Sequence, residues 1–300
     1  MNTQPALPDA PDAASLIAAA RALAPGLRAR AAETDALRRL PDENVAEMKK
    51  AGLFRVIQPE RCGGWQMDFH AHLDVVEEVA AGCGSSGWCL GVLQIHSWVA
   101  GLLSEQAQKD IYDDDPDALI AAVLNPRGKA RKTDGGYVVE GFWPFGSGSE
   151  HSGWMILGAQ LLDDDDAVLD EGCFLIPASD VEIKDDWRVA GLRGTGSHDI
   201  VIDEAFVPAH RVQRTNNSAP EATPGLELNT NAIFKIPFAQ VFTRAVSNAV
   251  LGGLQGAINE FCDNAAKHIG KHGSKTAEDP VAQDAVADAI LTVDMLKLVL

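Results

Sequence analysis

The chain has 300 residues, 46% of them hydrophobic, and a formal net charge of −18. That length and apolar content bury a sizeable core in two or three subdomains, while the acidic balance argues against a nucleic-acid partner, which asks for a basic face. No apolar run reaches the length of a membrane-spanning helix, and the five cysteines lack paired Cys-x-x-Cys spacing, as expected of reduced thiols in a cytoplasmic protein rather than of disulfides or a zinc site.

Residues 1–14 read as a disordered lead-in, without the basic and then apolar layout of a signal peptide. Residues 15–117 read as a helical domain. "SLIAAARALAPGLRARAAETDALRRL" repeats apolar residues at helical spacing with a bend expected at Pro25, and "PDENVAEMKKAG" opens on Pro41 in a first turn and stops at Gly52. Apolar helices follow over Phe69–Ala81 and Ser85–Leu103, then a short one from Glu105. Residues 118–232 change character. "LIAAVL", "YVVEGFW", "WMILGAQLL", "CFLIP", "VEIKDDW" and "DIVIDEAFVP" are short β-rich runs between Gly, Asp or Pro clusters, which predicts a small antiparallel barrel or sandwich. Residues 233–300 turn helical again, with a long helix from Phe238 that is apolar on several faces and therefore asks for partner helices. The last helix runs from Val281 into "MLKLVL" with no stop signal, so this domain is expected to be incomplete and the chain to continue in a longer parent. The predicted fold class is thus α+β: a helical domain, a central β-barrel and a C-terminal helical bundle.

Four places carry candidate chemistry. "GFWPFGSGSEHSGW" (Gly141–Trp154) sets Trp143 and Phe145 beside glycines and the hydroxyls of Ser147 and Ser149; the plain alternative is a β-bulge whose aromatics pack between strands. His96 is a lone polar side chain in "GVLQIHSWVAGLL", where a satisfied core histidine is the competing reading. Trp88 and Trp98 beside it could line an aromatic pocket, with core packing the default for both. Asn125 in "LNPRG" either caps a turn or reaches a ligand with its amide. "GLRGTGSHD" holds Arg193 in a Gly-rich loop able to form an anion nest, but no helix follows, so it is no phosphate-binding motif. The acidic runs at Asp113 and Asp163 read as solvated turns, and His70, His72, His151, His198 and His210 show no metal-ligand spacing.

The order helical, β, helical, together with "GLFRVIQPERCGG", "FWPFGSGSEHSGWMILGA" and "WRVAGLRGTGSHDIVIDEAFVPAHR", resembles the acyl-CoA dehydrogenase superfamily. Within it the chain is similar to two-component flavin-dependent monooxygenases of the 4-hydroxyphenylacetate 3-hydroxylase type, from about residue 15 onward. The resemblance implies an oxygenase component that takes reduced FMN, with FADH2 as the other option, and molecular oxygen from solution. It implies a separate NAD(P)H-flavin reductase, which also follows from the lack of a dinucleotide-binding Gly-rich unit. Through a C4a-hydroperoxyflavin it would hydroxylate a small, phenolic aromatic, as a homotetramer paired through C-terminal helices. Ser147 falls where the family places a hydroxyl on flavin N5, with Ser149 second. Trp143 and Phe145 would be ring walls, Asn125 and Arg193 further flavin contacts, and His96 the group that binds the phenolic oxygen. A further C-terminal histidine would lie past Leu300. The matching positions Lys267, His268, Ile269 and Gly270 depart from the Arg-x-x-Phe-Gly pattern of acyl-CoA dehydrogenases, which favours FMN and weighs against the rival reading of an FAD-dependent dehydrogenase. A non-catalytic flavin-binding or assembly protein of the same fold is the other rival.

Overall fold

A computed structural model describes residues 11–214, 223–269 and 275–299. The lead-in up to residue 10, the position of Gly270 and the end at Leu300 lie outside the described residues. Helix α1 (Ala13–Ala29) starts where the Asp12 carboxylate accepts a hydrogen bond from Ser15 N, and it buries Leu16, Ala20 and Leu27 along one stripe. Pro25 lies inside it, and the helical run breaks only at Arg30, ahead of α2 (Ala31–Leu37). Pro41 sits as the N-cap of α3 (Asp42–Lys50) rather than in its first turn, and Gly52 takes the left-handed conformation that ends this segment.

Asp68 caps α4 (Phe69–Gly82) and Ser104 caps α6 (Glu105–Tyr112). Between them α5 (Gly84–Ala100) is buried on nearly every side, which is why its sequence is apolar all round. After the sheet come the short α7 (Gly225–Leu228), the 30-residue α8 (Phe238–Lys267) and α9 (Pro280–Lys297). Helix α8 lies close on α4 because a side chain at Gly252 would meet Glu77 O at 2.5 Å; only a residue without Cβ permits that approach. Leu254, Phe261, Ile290, Leu291 and Met295 leave the outer faces of α8 and α9 exposed and apolar.

The strands are β1 (Ile120–Thr133), β2 (Gly136–Gly146), β3 (Trp154–Leu162), β4 (Val168–Pro177), β5 (Glu182–Lys184), β6 (His198–Pro208) and β7 (Val212–Arg214). They form one seven-stranded sheet in the order β5-β6-β2-β1-β3-β4-β7. This corrects the expected antiparallel barrel in two ways. The sheet is mixed, because β2 leaves β1 by a hairpin and β3 crosses to the far side of β1 and pairs with it in parallel. It is also open, ending on β5 and β7; each has three residues, too few to build a closing ladder.

The strand period of two splits the core. Ile120, Ile156 and Leu175 face the helices, while their neighbours Ala121, Met155 and Ile176 face a second core with Trp143, Phe174 and Ile200. Helix α5 packs on β1 and on the turn Arg193–Thr195, and the cleft described next opens there.

Candidate active site

One face of α5, residues Trp88, Val92 and His96 at four-residue spacing, lines a cleft of about 390 Å³. Phe145 near the end of β2, Ser147 just beyond it, Ala122 on β1, Trp187 and the Leu192–Ser197 loop close its other sides, and Phe242 and Val246 of α8 reach over it. The volume is that of a small-molecule site. Its lining is mostly apolar, and among the described residues that line it His96 is the single titratable side chain.

His96 is 4% exposed and its Nδ1 lies 2.8 Å from Ile120 O. A carbonyl only accepts, so Nδ1 carries the proton and Nε2 is the acceptor that remains. Burial pushes this imidazole down to about 4, against the smaller opposing pull of the Ile120 carbonyl, so it is neutral at pH 7.

Ser147 Oγ accepts from Trp88 Nε1 at 3.1 Å and lies 2.7 Å from Ser197 Oγ, which lies 2.6 Å from Thr195 Oγ1. Thr195 Oγ1 donates to Leu192 O at 2.9 Å, and Trp187 Nε1 donates to the same carbonyl at 3.0 Å. Trp187 is held from behind by His198, whose Nδ1 accepts from Trp187 N and Asp186 N.

The aromatic-glycine stretch divides by backbone strain. Alternation would put Trp143 and Phe145 on one face, but the register shifts between Trp143 and Gly146 and Phe145 takes φ 69°. Trp143 therefore stays fully buried in the sheet core, donating to Gly158 O at 2.6 Å. Phe145 swings out to 67% exposure, edge-on to Trp187 at 6.1 Å between ring centroids.

Of the residues singled out in the sequence, His96, Ser147 and Phe145 meet in this cleft, and four lie apart from it. Trp143 is behind the wall rather than on it. Ser149 is buried with no hydrogen-bond partner for its Oγ. Asn125 is exposed within β1, at the bulge between Val123 and Gly128. Arg193 donates to Asp35 O at the end of α2, and Gly194 is packed tightly on Thr34, so the loop faces α2 instead of forming a nest.

The sequence reading named Trp88 as a possible pocket wall but defaulted it to core packing, and it missed Trp187, Thr195 and Ser197 as lining residues. Trp98 is the core residue expected of it, bonded to Ile233 O, but Trp88 is not. The spacing Trp88, Val92, His96 was the available signal: a histidine's helical neighbours at four and eight residues share its face.

The arrangement suits a flat aromatic group with a hydrogen-bonding edge. The test is Ser147 Oγ itself: it lines the cleft and, with Trp88 and Ser197 engaged, retains one open hydrogen-bonding valence beside the exposed Phe145 ring. Another groove, about 430 Å³ between α8 and α9, has Thr292 as its one polar side chain and offers no chemistry.

The chain is similar to known proteins over most of its length. Residues 12–112 match the family model of the acyl-CoA dehydrogenase N-terminal domain. The chain is 38% identical to a flavin-dependent monooxygenase, oxygenase subunit HsaA, of Rhodococcus jostii, over 91% of this chain and 72% of that protein. It is 32% identical to the oxygenase component of an FADH2-dependent resorcinol hydroxylase from a Rhizobium strain, over 89% of this chain and 67% of that protein. Among solved structures, XiaF from a Streptomyces species, in complex with FADH2 and glycerol, superposes with a TM-score of 0.86 at 26% identity, covering 95% of this chain and 72% of that one.

Proposed function

The chain belongs to the family of flavin-dependent monooxygenase oxygenase subunits, and from that membership we propose that its cleft hydroxylates a small phenol. It works as the oxygenase component of a two-component system, with reduced flavin delivered by a separate NAD(P)H-dependent reductase. Bound reduced flavin supplies the chemistry that activates molecular oxygen. One oxygen atom enters a ring carbon in place of hydrogen, the other leaves as water, and the flavin ends oxidised.

The single observation that carries this reading is that His96 and the Ser147 hydroxyl line one mostly apolar cleft. Ser147, Phe145 and Trp187 would hold the ring edge and face of the flavin; Trp88 would fix the Ser147 hydroxyl. His96 would receive the phenol. Its depressed basicity selects between two roles. A phenol titrates near 10, so moving its proton fully onto an imidazole at about 4 would cost on the order of 8 kcal/mol. His96 therefore orients the phenol as a hydrogen-bond acceptor and leaves the hydroxyl protonated, its oxygen still donating electron density to the ortho carbon. The apolar lining excludes water from the reacting oxygen.

FADH2 is named for both the resorcinol hydroxylase and XiaF, so it ranks beside FMNH2 as the delivered cofactor. The exposed apolar faces of α8 and α9 support the expected pairing of subunits through these helices into a tetramer.

The test is anaerobic loading with FMNH2 or FADH2, followed by mixing with isotopically labelled oxygen and a panel of phenols. One labelled atom in the dihydroxy product is expected. Flavin bleaching by acyl-CoA, with no labelled product, would replace this reading by the dehydrogenase one.

A further inference from the structure

Trp187 forms one wall of the cleft, yet it lies between strands: β5 ends at Lys184 and β6 begins at His198. No ladder holds it, so its position rests on bonds from other segments. The indole donates to Leu192 O at 3.0 Å, and Arg38 donates to Trp187 O at 3.4 Å while pairing with Asp185. The backbone N–H of Trp187 goes to His198 Nδ1 at 3.2 Å. Asp186 N–H reaches the same nitrogen at 3.2 Å but also donates to Lys184 O at 2.8 Å, so of the two amides it is Trp187 that relies on the imidazole.

These bonds fix the tautomer. An atom that accepts from two N–H groups carries no hydrogen, so the ring proton of His198 sits on Nε2, 3.4 Å from Glu150 Oε2. A second proton would have to go on Nδ1. That atom would then be a donor, and Asp186 Oδ1, 3.7 Å away, is placed to receive it. Trp187 N–H would lose its acceptor in the same step.

We propose that His198, 3% exposed behind the wall, is the positioning residue for Trp187, and that taking up a second proton releases this wall and weakens flavin binding. The inference rests on the functional reading above, in which Trp187 holds the flavin ring. The charges around the imidazole bear on this step from several segments. Glu150 after β2, Asp185 and Asp186 beside Trp187, and Asp199 on β6 favour the second proton. Arg38 beside Asp185, and Arg39 between Glu150, Asp42 and His151, oppose it. Flavin entering a site with a released wall must restore the Trp187 hydrogen bond, which corresponds to roughly fivefold, and at most about tenfold, in affinity.

The experiment measures dissociation constants for FMNH2 and FADH2 under anaerobic conditions, from neutral pH down to the lowest pH at which circular dichroism shows the fold intact. His198→Asn keeps an acceptor, its Oδ1, near the Nδ1 position but takes up no proton. It should bind flavin like wild type at neutral pH and about fivefold tighter than wild type at the acid end. The flavin's own titration and that of His96 are common to both proteins and drop out of this ratio. His198→Leu has no acceptor and should bind about fivefold more weakly than wild type already at neutral pH. A ratio of wild type to His198→Asn that does not change with pH overturns the inference, as does wild-type affinity in a folded His198→Leu protein. A wild-type protein that binds no reduced flavin, or a Trp187→Ala protein that binds it undiminished, overturns the functional reading instead.

Discussion

Replacing His96 by alanine separates its two roles. The imidazole is almost fully buried, and its Nδ1 proton is the side-chain donor to Ile120 O. Ile120 is itself fully buried, so losing that donor costs about 1–3 kcal/mol, and the vacated ring space adds to it. A total near 3 kcal/mol is expected, read as a lower urea midpoint with an unchanged m-value. The second loss falls on substrate. Removing the Nε2 acceptor leaves a phenolic O–H unpaired in an apolar cleft, worth about 1–3 kcal/mol, or roughly 5- to 150-fold in phenol affinity. Flavin affinity should change little, because in the functional reading His96 does not touch the ring. The decisive assay compares a phenol with its methyl ether, which has no proton to donate. Wild type should prefer the phenol by that factor, and His96→Ala should bind both alike. If the variant keeps the preference while still binding flavin, His96 is a core histidine and the phenol lies elsewhere.

Three further outcomes follow from the same geometry. His72 and His96 are both held neutral by burial, each pushed down to about 4 from an ordinary value of 6.5. As pH falls from 6.5 towards 4 the unfolded chain takes up these protons first, so stability complete above pH 6.5 is lost at about 3 kcal/mol per histidine. Urea titrations across that window should show the loss, and a His72→Phe variant, which keeps the ring stacked on Phe69, should lose one share of the slope. Trp143→Phe removes the bond to Gly158 O and should destabilise by about 1–3 kcal/mol without changing flavin affinity, because Trp143 lies behind the cleft wall. Weakened flavin binding in a folded Trp143→Phe protein would put the indole back on the wall. Phe145→Gly relieves a left-handed backbone and should raise thermal stability by about 1 kcal/mol while weakening flavin binding; a stability loss would mean that the Phe145–Trp187 contact outweighs the strain.

Legibility in the sequence tracked how local each signal was. The helices from Phe69 and Glu105 were readable because their caps and apolar stripes lie within a few residues. The six short β-rich runs were readable as strands, but their closure was not: a barrel and an open mixed sheet share the same run lengths, and the parallel β1–β3 pair is set by a crossover. His96, Ser147 and Phe145 were legible because each is chemically out of place in its own segment. Trp143 was misplaced because alternation alone cannot register the turn of the backbone at Phe145. Thr195 and Ser197 were hidden for another reason. Their hydroxyls matter only through Ser147, fifty residues away, and through a carbonyl that no side-chain pattern reports.

The donors around the cleft share one disposition, and it sharpens what the site will accept. The His96 Nδ1–H is bonded to Ile120 O, the Trp187 indole and the Thr195 hydroxyl both to Leu192 O, and the Trp88 indole to Ser147. Thr195 gives its proton to a carbonyl that can only accept, which leaves Ser197 to donate to Thr195 and Ser147 to donate to Ser197; among the described residues the open valences of the polar lining side chains are therefore all acceptors, His96 Nε2 and one lone pair on each of the Ser147, Ser197 and Thr195 hydroxyls. A mostly apolar cleft whose open valences are acceptors rewards ligands that bring their own N–H or O–H and penalises those that bring only lone pairs. A phenol brings such a hydrogen and its methyl ether does not, so the same arrangement that holds every donor away from the cleft is what the phenol and ether comparison in His96→Ala reads.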